Sequence, residues 1–469
     1  MATGHRVTRG CGFLALAGAL GCGLLGAPER ASGRPDDGLG PFLELTPVEL
    51  CEDGARWTSD GRPAAGFCAQ GSPRPCAGDG ACGVDERCVC GRCTVARCGA
   101  DGDCRAGELC DGDTRRCARP CVSAGDCGAL NRCQGGVCVR SCGSPGQCSR
   151  GELCTSEGLC VALPCEDDGA CGGDRCELQR VPRPARDPSV LLDRGRWRLF
   201  VASPGRGVVE ASGSDGVRFR VEGTRLEGAL DGPSVVSGPF GLALAARRDD
   251  GVLVLSVAPD GQRFGPVTEL LRAQEAWEGS ALRAPSLALA GGAVWLLYEG
   301  SGGLGLARLE GLGTATVTAQ RMPSGPDGTA RVLSVTEAEA PPFWRALGPL
   351  EGPSVVAEDP GEVSGTPLLR VYFSALGAAT GASVVDRVLR DPLRVAAVGV
   401  ASGRPGGRFR VSPVNPVLSR VVGVGELRGA LEPSVVRAPD GWRVYLRDRG
   451  PEGGSTGLLV ARGRGSDEP

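Results

Sequence analysis

Lysine and isoleucine are absent from this 469-residue chain, asparagine occurs only at Asn131 and Asn415, and the single histidine is His5. With His5 in a leader that is expected to be removed, no imidazole remains to act as base, proton shuttle or metal ligand, which excludes serine triads and histidine-zinc sites. Lysine-dependent phosphate loops fail as well, and no glycine pattern follows the strand-to-helix order of a dinucleotide fingerprint. The 52 Arg are offset by 55 acidic residues and form no basic run, so nucleic acid is not an expected partner. No cofactor and no metal are expected. Aromatics are only 4% of the chain, none lies between Phe67 and Trp197, and no cysteine follows Cys176.

That last absence divides the chain. All 24 cysteines lie between Cys11 and Cys176, and the following 293 residues are of a different kind. Ahead of the cysteines, His5, Arg6 and Arg9 precede the apolar run FLALAGALGCGLL, long enough for a signal peptide and too short for a stable span. Ala19-Leu20-Gly21-Cys22 resembles a lipobox, which implies acylation at Cys22 and a membrane contact through that anchor; cleavage after Ala17-Gly18-Ala19 is the rival reading. Residues 1–22 are read as the signal, and 23–50, rich in proline and glycine, as a flexible tether. The expected location is outside the cytoplasm: a surface or outer-membrane lipoprotein, or else a periplasmic or secreted protein.

Within 51–176, the phrase Cys-x3-Gly-x-Cys recurs from Cys76, Cys98, Cys121, Cys142 and Cys165, with a period of about 22 residues. A unit so short, without aromatics, cannot bury enough apolar area to offset chain entropy. Disulfides must supply the stability, with zinc as the alternative, for which only Cys90 and Cys93 show a C-x2-C spacing. The first copy has five cysteines and the last three, so these ends are expected to pair outside themselves. The spacing resembles cysteine-rich repeats of the EB and Dickkopf N-terminal type, which implies a spacer or protein-binding rod.

From 177 to 469 a second repeat is announced by a Pro-Ser-Val or Pro-Ser-Leu motif at Pro188, Pro233, Pro285, Pro353 and Pro433. Each Pro-Ser motif leads into apolar strands such as WRLFVAS, VWLLYEG and WRVYLRD, separated by Gly-rich turns and without helical periodicity. The fold class is all-β, and five such units predict a five-bladed β-propeller rather than two sandwiches. The last unit lacks a fourth strand: either it has three, or the segment around Glu177 to Val181 closes the ring.

The phrases ARDPSV, ALDGPSV and LEGPSV resemble the blade-opening motifs of five-bladed furanosidase propellers, the arabinanase, xylosidase and invertase group. By that resemblance Asp187 would be base or nucleophile, Asp231 the acidity-tuning residue and Glu351 the acid, with Glu351 on the fourth blade and Arg283 in its place on the third. Alignment on the Leu and Pro of each motif groups Asp231, Arg283, Glu351 and Glu432 at one position, with Asp187 alongside, around the channel mouth. Trp277 and Trp344, just ahead of two of the motifs, are candidates for a sugar platform, with core packing as the other reading. Carboxylates at such positions can also simply cap backbone amides in tight turns. The expected function is a disulfide-rich stalk presenting a non-catalytic propeller that binds a glycan or a protein; the alternative is a glycoside hydrolase.

Overall fold

A computed structural model describes residues 42–52, 55–58, 65–69, 75–76, 81–82, 86–95, 107–111, 116–128, 131–148, 152–162, 164–165, 168–171, 175–314, 316–324, 327–334, 345–357, 366–378, 394–412, 415, 417–419, 429–449 and 455–463. The leader, Cys22 and Trp344 lie outside the described residues.

The C-terminal region is a five-bladed β-propeller. Blade one runs through Arg186–Asp193, Arg196–Ser203, Gly207–Gly213 and Arg218–Leu226 as an antiparallel meander. Blade two comprises Leu230–Gly238, Gly241–Arg248, Leu253–Ala258 and Thr268–Leu271. Blade three starts at Arg283–Ala290 and continues through Ala293–Gly300 and Gly303–Glu310, the last paired with both Thr318–Arg321 and Arg331–Ser334. Blade four follows the same plan from Arg345–Ala357 through Leu369–Ala378 and Arg394–Gly403. Blade five has Gly429–Ala438, Gly441–Arg449 and Ser455–Gly463.

The fourth strand of blade five is Phe42–Pro47, antiparallel to Ser455–Gly463. Neither expected way of ending the ring is therefore correct. Arg175–Pro182, which contains Glu177 to Val181, instead pairs with Ala55–Thr58 and Ala65–Ala69 in the cysteine-rich part. The reading of 23–50 as tether also fails for 42–50, because Glu49–Glu52 continues the sheet by pairing in parallel with Arg218–Leu226. The local reason is that FLELTP and ELCE supply apolar side chains, Phe42 and Leu50 among them, that close interblade seams. Phe42 packs edge-on against Tyr372 of blade four with centroids 6.3 Å apart. Val48, Leu50 and Trp57 join Trp197 and Tyr445 in the core between blades five and one.

Each pair of neighbouring blades shares one such apolar core, and blade strands bury side chains on both faces, which is why their sequences read as near-continuous apolar runs. The Pro-Ser repeat has its own explanation. Val235 N–H donates to Ser189 Oγ, Leu287 to Ser234, Val355 to Ser286, Val435 to Ser354, and Val190 to Ser434, at 2.8–3.0 Å. Each motif serine thus accepts an amide of the next blade, and the fifth contact returns to blade one. All five serines are buried, so the ring of contacts satisfies inner-strand amides that would otherwise be costly to bury.

In the array, every described cysteine is disulfide-bonded. The complete units pair first with third and second with fourth cysteine: Cys121–Cys133 with Cys127–Cys138, and Cys142–Cys154 with Cys148–Cys160. The end copies reach outside, as expected, through Cys51–Cys90 and Cys68–Cys171. Cys51 and Cys68 lie in the sheet that extends blade one, at Glu49–Glu52 and Ala65–Ala69. Arg206 of blade one binds Glu52 at 2.9 Å and lies over Trp57, adding a polar clamp between array and propeller.

Candidate functional site at the Pro-Ser ring

At the start of every innermost strand the register breaks just before the motif proline. The residue preceding that proline has positive φ in all five blades: Asp187 49°, Gly232 55°, Ala284 40°, Gly352 53° and Glu432 56°. Glycine adopts this conformation freely, whereas Asp187, Ala284 and Glu432 do so at some cost. The equivalence corrects the Leu-based alignment. Asp187 and Glu432 occupy one position, and Asp231, Arg283 and Glu351 the position before it, alongside Arg186. The clasping Pro-Ser sets the register, and in blade five the leucine stands one residue closer to it than in blades two and four.

The amide of that pre-proline residue also points at the preceding blade. Asp187 N–H donates to Glu432 Oε2 at 3.1 Å, Gly232 N–H to Asp187 Oδ2 at 3.1 Å, Gly352 N–H to Glu299 Oε2 at 3.3 Å, and Glu432 N–H to Ser374 Oγ at 3.1 Å. Asp187 and Glu432 therefore do what the capping reading expects, and the acceptors come from neighbouring blades rather than from their own turns. Arg447 holds the other Glu432 oxygen at 3.2 Å.

The structure brings Asp187, Asp231 and Glu432 together where blades five, one and two meet. Asp187 and Asp231 are hydrogen-bonded through their carboxyl groups. Burial, then the charge of Glu432, raise Asp187 to about 7. The hydrogen bond to Asp187, then burial, raise Asp231 to about 7 as well. Two carboxyls in contact cannot both ionise cheaply, so the pair holds a proton near neutral pH. Arg283 and Glu351 belong to the other side of the ring, blades three and four. Between them is Glu299, raised to about 7 by burial against the opposing pull of Gly352 N–H and Arg283. Arg283 is 58% exposed at its side chain and reaches Glu299 at 3.6 Å.

Glu299, Arg247, Ser374 and Arg447 escaped the sequence reading because they lie on second strands, directly across from Arg283, Asp231, Glu351 and Leu431. The available signal was a carboxylate ending the apolar run VWLLYE. Trp277 is not a sugar platform. It is buried, stacked on Tyr298 with centroids 5.8 Å apart, and hydrogen-bonded through Nε1 to Glu275. The close approach of Gly300 and Gly305 to its ring packs it into the apolar core that blades two and three share. Among the described residues, groupings with metal-ligand spacing are built on cysteines already in disulfides.

The raised groups dictate a pH dependence. Asp187, Asp231 and Glu299 titrate near 7 in the folded chain and near 4 when unfolded. Between these values the folded state binds more protons, so stability is fully present below about 4 and declines as pH rises through about 7. The melting temperature is expected to be several degrees higher at pH 5 than at pH 8, and Asp231→Asn, which relieves the paired charge, should flatten that slope. A melting temperature that rises from pH 5 to 8 contradicts this assignment.

No family model and no curated protein matches the chain. Solved structures do resemble it. An endo-arabinase from Bacteroides thetaiotaomicron is 16% identical, with 59% of this chain and 93% of that one covered and a TM-score of 0.41. A thermostable family-43 glycoside hydrolase is also 16% identical, covering 60% of this chain and 88% of that one, at 0.38. An exo-1,5-alpha-L-arabinanase from a bovine ruminal metagenomic library is 13% identical, covering 60% and 93%, also at 0.38. At these identities the resemblance is one of fold.

Proposed function

We propose that this chain is an exported envelope protein, lipid-anchored through Cys22, whose disulfide-rich array presents the propeller as a non-catalytic carbohydrate-binding module. The observation that carries the reading is the commitment of Asp187. Its Oδ2 accepts the blade-two amide of Gly232, and its carboxyl is hydrogen-bonded to Asp231, so both of its partners are protein groups. A hydrolytic base must be ionised and face water or the sugar, and a carboxyl pair that works across a glycosidic bond needs about 5–9.5 Å between its members. The Asp187–Asp231 pair is in contact.

What remains for a ligand is a rim of polar groups of both signs, Arg283 and Glu351, suited to hydroxyl recognition. A glycan panel probed with the full oxidised chain is expected to show binding without release of reducing ends. Arg283→Gln and Glu351→Gln are each expected to weaken that binding about tenfold, the loss of one charge-assisted hydrogen bond. Binding to none of the glycans would sink the carbohydrate reading.

The glycoside-hydrolase reading draws on one observation, the presence of carboxyl groups raised to about 7 around the Pro-Ser ring, as general acids require. Hydrolysis of any member of the panel, lost in Asp187→Asn and Glu351→Gln, would replace binding by catalysis.

A further inference from the structure

A cleft of about 570 Å³ separates blades one and two on the face opposite the Pro-Ser ring. Its blade-one wall is organised by Glu210, which is 3% exposed and lies mid-strand in the Gly207–Gly213 run. Arg198 Nε donates to Glu210 Oε1 at 2.7 Å, and Arg225 Nε donates to Glu210 Oε2 at 2.6 Å. One carboxylate thus holds two guanidiniums, and the cleft is also lined by Arg194, Arg196 and Arg263 and by Asp193, Glu222 and Asp260, so its five arginines outnumber its four carboxylates by one. Each arginine meets Glu210 through Nε alone. The Nη groups form no other hydrogen bond among the described residues; the nearest acid to Arg198 Nη1 is Asp193, at 3.9 Å.

The far wall is the Gly241 to Leu242 backbone and the turn 259–263, which brings Arg263 to the same cleft. The Asp260 carboxylate in that turn accepts the backbone amides of Gln262 and Arg263, both at 2.8 Å, and the charge of Arg263 acts on it without a direct ion pair among the described residues. Arg198 and Arg225, both fixed by a buried carboxylate, and Arg263 therefore line one space. Assembling two arginines around a buried glutamate is an expensive way to fill a blade, because each ion loses hydration. Pinned guanidiniums with free Nη edges are, by contrast, the geometry that binds an oxyanion in a fork.

We infer that this cleft is an anion site, separate from the Pro-Ser ring, that takes the carboxylate or phosphate group of a small ligand between Arg198, Arg225 and Arg263. The site is independent of the carbohydrate reading, since no residue of the Pro-Ser motifs contributes to it.

Calorimetric titration of the full oxidised chain with inorganic phosphate and with sodium acetate, at constant ionic strength, tests it. Saturable binding of one equivalent of either anion is expected, and the anion preferred identifies the group. Arg225→Gln should weaken it roughly tenfold by removing one charged fork. Arg263→Ala should weaken it several-fold; that side chain is exposed and its loss leaves the blade intact, so it decides the matter if Arg225→Gln folds poorly. Failure of both anions to saturate, or unchanged affinity in Arg263→Ala, overturns the assignment.

Discussion

Reduction of the oxidised chain is expected to abolish the structure of the cysteine array while the propeller stays folded. Between residues 116 and 162 the described apolar core consists of Ala118, Val137, Val139 and Leu159, with Val161 against it. That is far too little apolar area to offset the entropy of ordering the units. The bridges within units close separations of 11 or 12 residues, and each of this size contributes about 2–4 kcal/mol by restricting the unfolded chain. Cys68–Cys171 spans 103 residues, so its loss leaves the far end of the array held to the sheet on blade one by backbone pairing of Ala65–Ala69 with Arg175–Pro182.

The propeller has no described cysteine and draws instead on interblade cores rich in fully buried Leu, Val, Tyr and Phe. Hydrogen exchange with and without reductant reads both regions at once. Protection in 116–162 should be lost and that in 230–310 retained. Protection of the array that survives full reduction would mean that something other than its disulfides holds it.

Replacing Glu278 with alanine is expected to destabilise the propeller by about 3–5 kcal/mol, the range for removing one partner of a buried, hydrogen-bonded charge pair. Glu278 has no solvent exposure. It accepts two hydrogen bonds from Arg321, at 2.8 and 2.9 Å, one from Tyr298 Oη at 2.8 Å, and the backbone amides of Gln274 and Glu275. Burial works against its charge, but Arg321 and the two amides outweigh it and hold the carboxyl below its usual range. A carboxyl so lowered contributes stability above its unfolded value, near 4.3, that is lost as pH falls through the folded one.

This window lies below that of Asp187, Asp231 and Glu299, so the two effects separate in a pH series. The alanine variant would leave Arg321, Tyr298 and two amides without their acceptor, and would loosen the segment carrying Trp277 against Tyr298. Denaturant unfolding of the Glu278→Ala chain measures the loss. A change of under about 1 kcal/mol, the range of exposed ion pairs, would show that the network is solvated.

Several features were readable in order along the chain. Cysteine spacing predicts a disulfide array, since short aromatic-free units have no other source of stability, and unequal cysteine counts at its ends predict bridges leading outward. Five Pro-Ser motifs followed by apolar strands predict five blades. The reason for the motif was not readable: its serine accepts the amide of the next blade, a contact between residues 46 to 81 positions apart and, at closure, 244.

The same limit applies to the site. Asp187, Asp231 and Glu432 could be nominated because they sit in a repeated phrase. That Asp187 and Asp231 share a hydrogen bond, and that Glu432 caps Asp187, depends on how far each blade is rotated against the next. Glu299, Arg247 and the Arg198–Glu210–Arg225 cluster carry no repeated signal, because pairing across strands selects one position from each without marking the sequence. Local composition and period determined the kinds of unit and their number. Ring closure by Phe42–Pro47, the pairing of the array with blade one, and the partner of every carboxylate were decided only by tertiary structure, because each joins residues whose order along the chain holds no record of their distance.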